Sequence, residues 1–127
     1  MVIDTSLLFA FYAAFDQNHG EAVRILEQMR QTRETLIVPQ EVIAEFCSVL
    51  TYKSSLADSL AAVEGILGDP FYCKIESLPS RQVVLLLQEL GASISYTDAV
   101  VLLHSRNAHQ EILTFDRQLK SIWKKMQ

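Results

Sequence analysis

The chain has 127 residues, half of them hydrophobic and a fifth charged, which allows one domain, residues 1–127, built on one compact core. No apolar run approaches the ~18 residues of a membrane span, and Met1-Val2-Ile3-Asp4 has neither the basic region nor the cleavage site of a secretory signal. The net charge of −4 argues against nucleic-acid binding by bulk charge, though it is uneven: residues 1–64 hold nine acids and four bases, net −5, and residues 65–127 six acids and seven bases, net +1.

Taken in chain order, the pattern predicts a first strand over Met1–Asp4 and a helix from Thr5 to about Phe15. Asp16 and His19 set the start of a second helix from about Asn18 to Arg33, whose apolar positions Ala22, Ile25, Leu26 and Met29 keep helical spacing. Leu36-Ile37-Val38 reads as a short buried strand, and Pro39 opens a helix through Ser54 with Glu41 in its first turn. A further helix covers about Leu56 to Leu67. Gly68-Asp69-Pro70 is a turn, and Phe71 to Ile75 a third strand. Ser80 to Leu90 forms a helix stopped by Gly91, and Ser95 caps an apolar helix through about Ala108. Ile112 to Phe115 is the fourth strand, followed by a last helix. Helices separating short apolar strands imply an α/β fold with a parallel sheet of about four strands covered on both faces. No internal repeat, low-complexity tract or linker interrupts it.

Four acids occupy unusual places. Asp4 and Asp116 each follow a short apolar run and open a helix. If both runs are parallel strands, both carboxylates lie at the carboxyl edge of the sheet, where open α/β folds bind ligands. Asp98 lies three residues after Ser95, near the pattern of a capping box. Each of these three also has a purely structural reading, as a helix cap. Glu45 is harder to dismiss, because it shares a helical stripe with Val42, Phe46 and Val49 and so turns toward the core side, where a bare charge is costly. Glu41, one turn earlier, is its less buried neighbour. Carboxylates without Cys or His partners suit a hard cation, Mg²⁺ or Mn²⁺. Cys47 and Cys73, with no CxxC between them, read as two buried free thiols in a reducing cytoplasm, and His104 and His109 as packing or surface residues.

Together the segments resemble a known family, the PIN domain, and in particular its VapC-like toxin ribonucleases. The matching stretches are Val2-Ile3-Asp4-Thr5-Ser6-Leu7-Leu8, Asp16-Gln17-Asn18-His19, Val38-Pro39-Gln40-Glu41-Val42-Ile43-Ala44-Glu45, Ser95-Tyr96-Thr97-Asp98-Ala99 and Leu113-Thr114-Phe115-Asp116-Arg117. They follow the family's order over nearly the whole chain. The resemblance implies a three-layer fold and a pocket in which Asp4, Glu45, Asp98 and Asp116 hold Mg²⁺ or Mn²⁺, with Ser6 and Thr114 as supporting hydrogen bonders. It also implies an RNA substrate, a homodimer and a small antitoxin partner. Two departures stand out: the first strand is short, and the chain stops at Trp123-Lys124-Lys125-Met126-Gln127, where many relatives carry a further edge strand. Arg106, Arg117 and Lys120 are weak candidates for phosphate contacts. Two rival readings remain, a catalytically silent PIN-fold interaction protein and an aspartyl phosphotransferase or phosphatase. The latter class usually wants a second Asp two residues after the first, and Ser6 stands there.

Overall fold

Val2 and Ile3 are consecutive in a strand, so their side chains point to opposite sides of it, and both are fully buried. Cover on both faces of the sheet is therefore required. The computed structural model describes residues 1–127, in the order β1 (Val2–Ile3), α1 (Thr5–Tyr12), α2 (His19–Gln31), β2 (Leu36–Pro39), α3 (Gln40–Lys53), α4 (Leu56–Gly68), β3 (Tyr72–Ile75), α5 (Ser80–Leu90), α6 (Tyr96–Ala108), β4 (Ile112–Leu113) and α7 (Arg117–Met126). All four strands run parallel, in the spatial order β3-β2-β1-β4. The chain has the α/β architecture that the alternating pattern predicts. The buried apolar side chains form one contiguous cluster around β1, α1 and α6. No helix is long and apolar enough to cross a membrane.

The differences from the predicted elements are local. Helix α1 stops three residues early, because Ala13 turns extended and accepts a hydrogen bond from the Asp16 amide at 2.9 Å. Helix α2 ends at Gln31, where Thr32 bonds back to the Met29 carbonyl and Arg33 adopts a left-handed backbone with φ 60°. Gly91 ends α5 at the same φ of 60°, where glycine carries no Cβ penalty. Strand β4 is two residues shorter than expected, since Thr114 and Phe115 turn their polar groups onto Ser6 and Asp116 instead of onto a neighbouring strand.

The thiols correct the sequence reading. Strand β3 is an edge strand that buries Tyr72 and turns Cys73 outward, so Cys73 is exposed, and Cys47, on α3, is only half-buried. The other edge, β4, pairs with β1 alone. Beyond it α7 returns to the core through buried Leu119 and the partly buried Ile122, Trp123 and Met126, spaced as one helical stripe. The Trp123 indole donates to Ser105 Oγ of α6 at 2.9 Å, which docks α7.

Candidate active site

Register builds the centre of the site. Strands β1 and β4 pair with Ile3 opposite Leu113, so the next residues, Asp4 and Thr114, emerge side by side at the carboxyl edge. Thr114 Oγ1 donates to Asp4 Oδ2 at 2.7 Å, and Ser6 Oγ donates to the same oxygen at 3.0 Å. Each hydroxyl has one proton, so the 3.2 Å contact between the two oxygens carries none when both protons point at Asp4. The hydroxyls also accept: Ser6 Oγ from the Phe115 amide at 3.1 Å, and Thr114 Oγ1 from the Asp116 amide at 2.9 Å. Asp4, only 3% exposed, is thus held by the side chains of Ser6, in the first turn of α1, and Thr114, just past β4.

The other acids come from three helices. Asp98 is the third residue of α6 and completes a capping box: its amide donates to Ser95 Oγ at 3.0 Å and its Oδ2 accepts from the Ser95 amide at 3.4 Å. Asp116 caps α7 by accepting from the Leu119 amide at 3.1 Å. Glu45 sits on α3 one turn from Val49 and two from Lys53, and all three side chains line one face of the cavity. Asp4, Glu45, Asp98 and Asp116 therefore border a single open cavity of about 440 Å³. No three of the molecule's His, Cys, Asp and Glu side chains are gathered tightly enough to hold an ion as they stand. Like charges repel, and cap bonds hold two of the acids at the rim.

Burial and, at Asp98, crowding of charge shift the titration of two of the acids. Burial pushes the Asp4 carboxyl above its ordinary value, against the pull of the Thr114 and Ser6 bonds. Burial also pushes Asp98 up, and the neighbouring carboxylates of Asp4 and Asp116 push the same way. Both shifts disfavour the ionised carboxylates, through burial at Asp4 and through burial and like charge at Asp98.

Several residues stand elsewhere than the sequence suggests. Glu41 does not line the cavity; its Oε1 is buried without a partner, near His104 of α6, whose Nε2 is also buried and unpartnered. Burial lowers the His104 pKa, with Glu41 opposing. Arg106 faces Glu89 at 3.7 Å on another side of α6, and Arg117 and Lys120 line a separate shallow hollow on α7 with Lys124. Two cavity residues escaped the sequence reading. Asp16 accepts from the Asn18 amide at 2.9 Å, as expected of a residue that starts α2, but it also lines the cavity as a fifth acid. Lys53 is its one basic side chain. The repeat of Glu45, Val49 and Lys53 at four-residue spacing is the signal that points to Lys53.

The sequence profile of the PIN domain matches residues 1–125. This chain belongs to the PIN domain family. This PIN domain is similar in fold to VapC20 of Mycobacterium tuberculosis, a sarcin–ricin-loop-cleaving toxin, with 18% sequence identity over 94% of this chain and 92% of that chain and a TM-score of 0.79. It is also similar to PAE2754 of Pyrobaculum aerophilum, with 19% identity over 95% of this chain and 77% of that chain and a TM-score of 0.69. Likeness at these identities is likeness of fold. No curated protein sequence matches this PIN domain.

Proposed function

We propose that this PIN domain is a Mg²⁺- or Mn²⁺-dependent endoribonuclease, the toxin of a toxin–antitoxin pair. The observation that carries the reading is the cavity at the carboxyl edge of the sheet, bordered by Asp4, Glu45, Asp98 and Asp116. Apart from the Lys53 ammonium, its polar side chains are carboxylates, hydroxyls and the Asn18 amide, with no thiol or imidazole, and such oxygen ligands are the set that hard divalent cations prefer. The carboxyls of Asp4 and Asp98, both pushed up by burial and Asp98 also by its acidic neighbours, fit the same ion, since a cation between them favours their ionised forms. Asp4 and Asp98 are the central ligands in this reading, with Asp116 and Glu45 completing the set directly or through water. When bound, the ion offsets charge developing on the phosphoryl oxygens and activates the attacking water. Ser6 and Thr114 fix the orientation of Asp4 through its Oδ2. The fold shared with a sarcin–ricin-loop-cleaving toxin favours an RNA substrate. The VapC-like resemblance adds a homodimer and a small antitoxin as partners.

The test is cleavage of a mixed set of labelled RNAs. Cleavage should require Mg²⁺ or Mn²⁺ and stop in EDTA. Asp98→Asn should lower the rate by several orders of magnitude, because a neutral amide is a poor ligand for a hard cation. Undiminished cleavage by that variant, in a preparation free of contaminating nuclease, would remove Asp98 from the site. One observation favours the silent-interaction reading instead: Asp98 and Asp116 both already serve as helix caps. A parent protein that cleaves no RNA with either ion decides for that alternative.

A further inference from the structure

Lys53 has no acidic partner, although it borders a cavity with five acids: it forms no ion pair with any Asp or Glu. Eight residues along α3 place its backbone about 12 Å beyond that of Glu45. Its ammonium instead lies 5.2 Å from the centre of the Phe9 ring. Phe9 meets Phe15 edge to face, with ring centres 5.9 Å apart, and Phe15 is 63% exposed in the α1–α2 loop immediately before Asp16. A solitary exposed phenylalanine needs no explanation. Here it stands in line with the cavity's one cation and its buried aromatic support. A free cation for phosphate and an exposed ring for a base are the two parts from which sites for single-stranded nucleic acid are made.

We propose that Lys53 and Phe15 form a nucleotide subsite beside the cleavage cavity, Lys53 holding a backbone phosphate and Phe15 stacking on an unpaired base. The proposal rests on the nuclease reading and deepens it, since it selects single-stranded over duplex RNA: a base must be unstacked to lie on Phe15.

The experiment measures binding of a labelled ten-nucleotide single-stranded RNA to Asp98→Asn protein in EDTA, where turnover is absent, across a range of salt. Adding Lys53→Gln should weaken binding and flatten the plot of log affinity against log salt by about 0.7, the contribution of one single-strand phosphate. Adding Phe15→Ala should weaken binding about fivefold or more, while Phe15→Tyr, which keeps the ring, should restore it. Duplex RNA of the same sequence should bind more weakly and ignore the Phe15 changes. If the RNA binds but neither the Lys53 nor the Phe15 variants alter affinity or salt slope, the subsite is wrong and the nuclease reading stands. Phe15 then belongs to the apolar groove it also borders, with Leu50 and Ala62. If the parent neither binds nor cleaves any RNA, the nuclease reading itself falls and takes the subsite with it.

Discussion

Thr114 does more for the site than its size suggests. Its hydroxyl donates to Asp4 and accepts from the Asp116 amide, so it couples two of the four acids across β4. Thr114→Val keeps the shape and removes both bonds, leaving a buried carboxylate short of a donor. We expect a stability loss of roughly 1–3 kcal/mol, and a drop of about 10- to 100-fold in Mn²⁺ affinity. Thermal melts and a Mn²⁺ titration measure the two separately, and an unchanged affinity would make Thr114 a fold residue only. Asp4 and Asp98 also carry a pH signature. Their folded carboxyls titrate above the ordinary value, so protonation favours the fold; the stability they confer is full below the unfolded carboxylate range and is lost as pH rises through the raised values. A metal binds the ionised form. The increment that Mg²⁺ adds to Tm should therefore be small near pH 4 and grow toward pH 7, and an increment that stays constant over that range would contradict the site. Asp98→Asn should melt higher than the parent in EDTA and gain less from metal, since its amide oxygen still accepts the Ser95 bond while its charge is gone. At this scale the sequence shows Asp4, Asp98 and Asp116 through their positions at strand ends and caps, and Glu45 through its interruption of an apolar stripe. It favours Glu45 over Glu41 for the cavity but does not show that a Glu41 carboxylate oxygen is buried on the same helix, because that depends on how α3 packs against the rest of the fold. Nor does it place Arg106, Arg117 and Lys120, whose helices point them away.

Among the elements, α6 best shows how a secondary-structure device and a functional site share atoms. Ser95 Oγ accepts the Asp98 amide and the Asp98 carboxylate accepts the Ser95 amide, so the box that starts the helix also aims the acid. Ser95→Ala should cost about 1 kcal/mol through loss of the cap, read as a lower Tm in EDTA, and should loosen Asp98 enough to raise the Mn²⁺ concentration needed for cleavage. A lower Tm with an unchanged metal requirement would separate the cap from the site. Helices α5 and α6 are predictable from sequence almost to the residue, because Ser95 and Gly91 mark their ends by backbone geometry. Strands β1 and β4 are harder to delimit: two residues each show no periodicity, and their pairing depends on partners over a hundred positions away. The early end of α1 is equally hidden, since Ala13, Ala14 and Phe15 are all acceptable in a helix and only the Asp16 turn stops it.

For the whole molecule, the apolar surface is the unbalanced feature. Leu56, Leu60 and Leu67 share one outward stripe of α4, each at least half exposed, and Tyr52 near the end of α3 is 90% exposed. A monomer rarely leaves such a stripe wet. We place the proposed homodimer interface on this α3–α4 hairpin, and expect sedimentation at tens of micromolar to give a dimer that Leu60→Glu converts to monomer. A parent protein that sediments only as a monomer would move the interface elsewhere or abolish it. The docking of the last helix has a practical consequence of another kind. Trp123 is the chain's one tryptophan, and its indole is tied to α6 while α7 itself begins at Asp116 on the cavity rim. Tryptophan emission, excited selectively over the four tyrosines, therefore comes from a single, known place. Local release of α7 would wet the indole and shift its light to the red before the sheet gives way. An ion that draws Asp116 inward would register in the same colour, so the molecule carries its own label-free optical gauge of the rim.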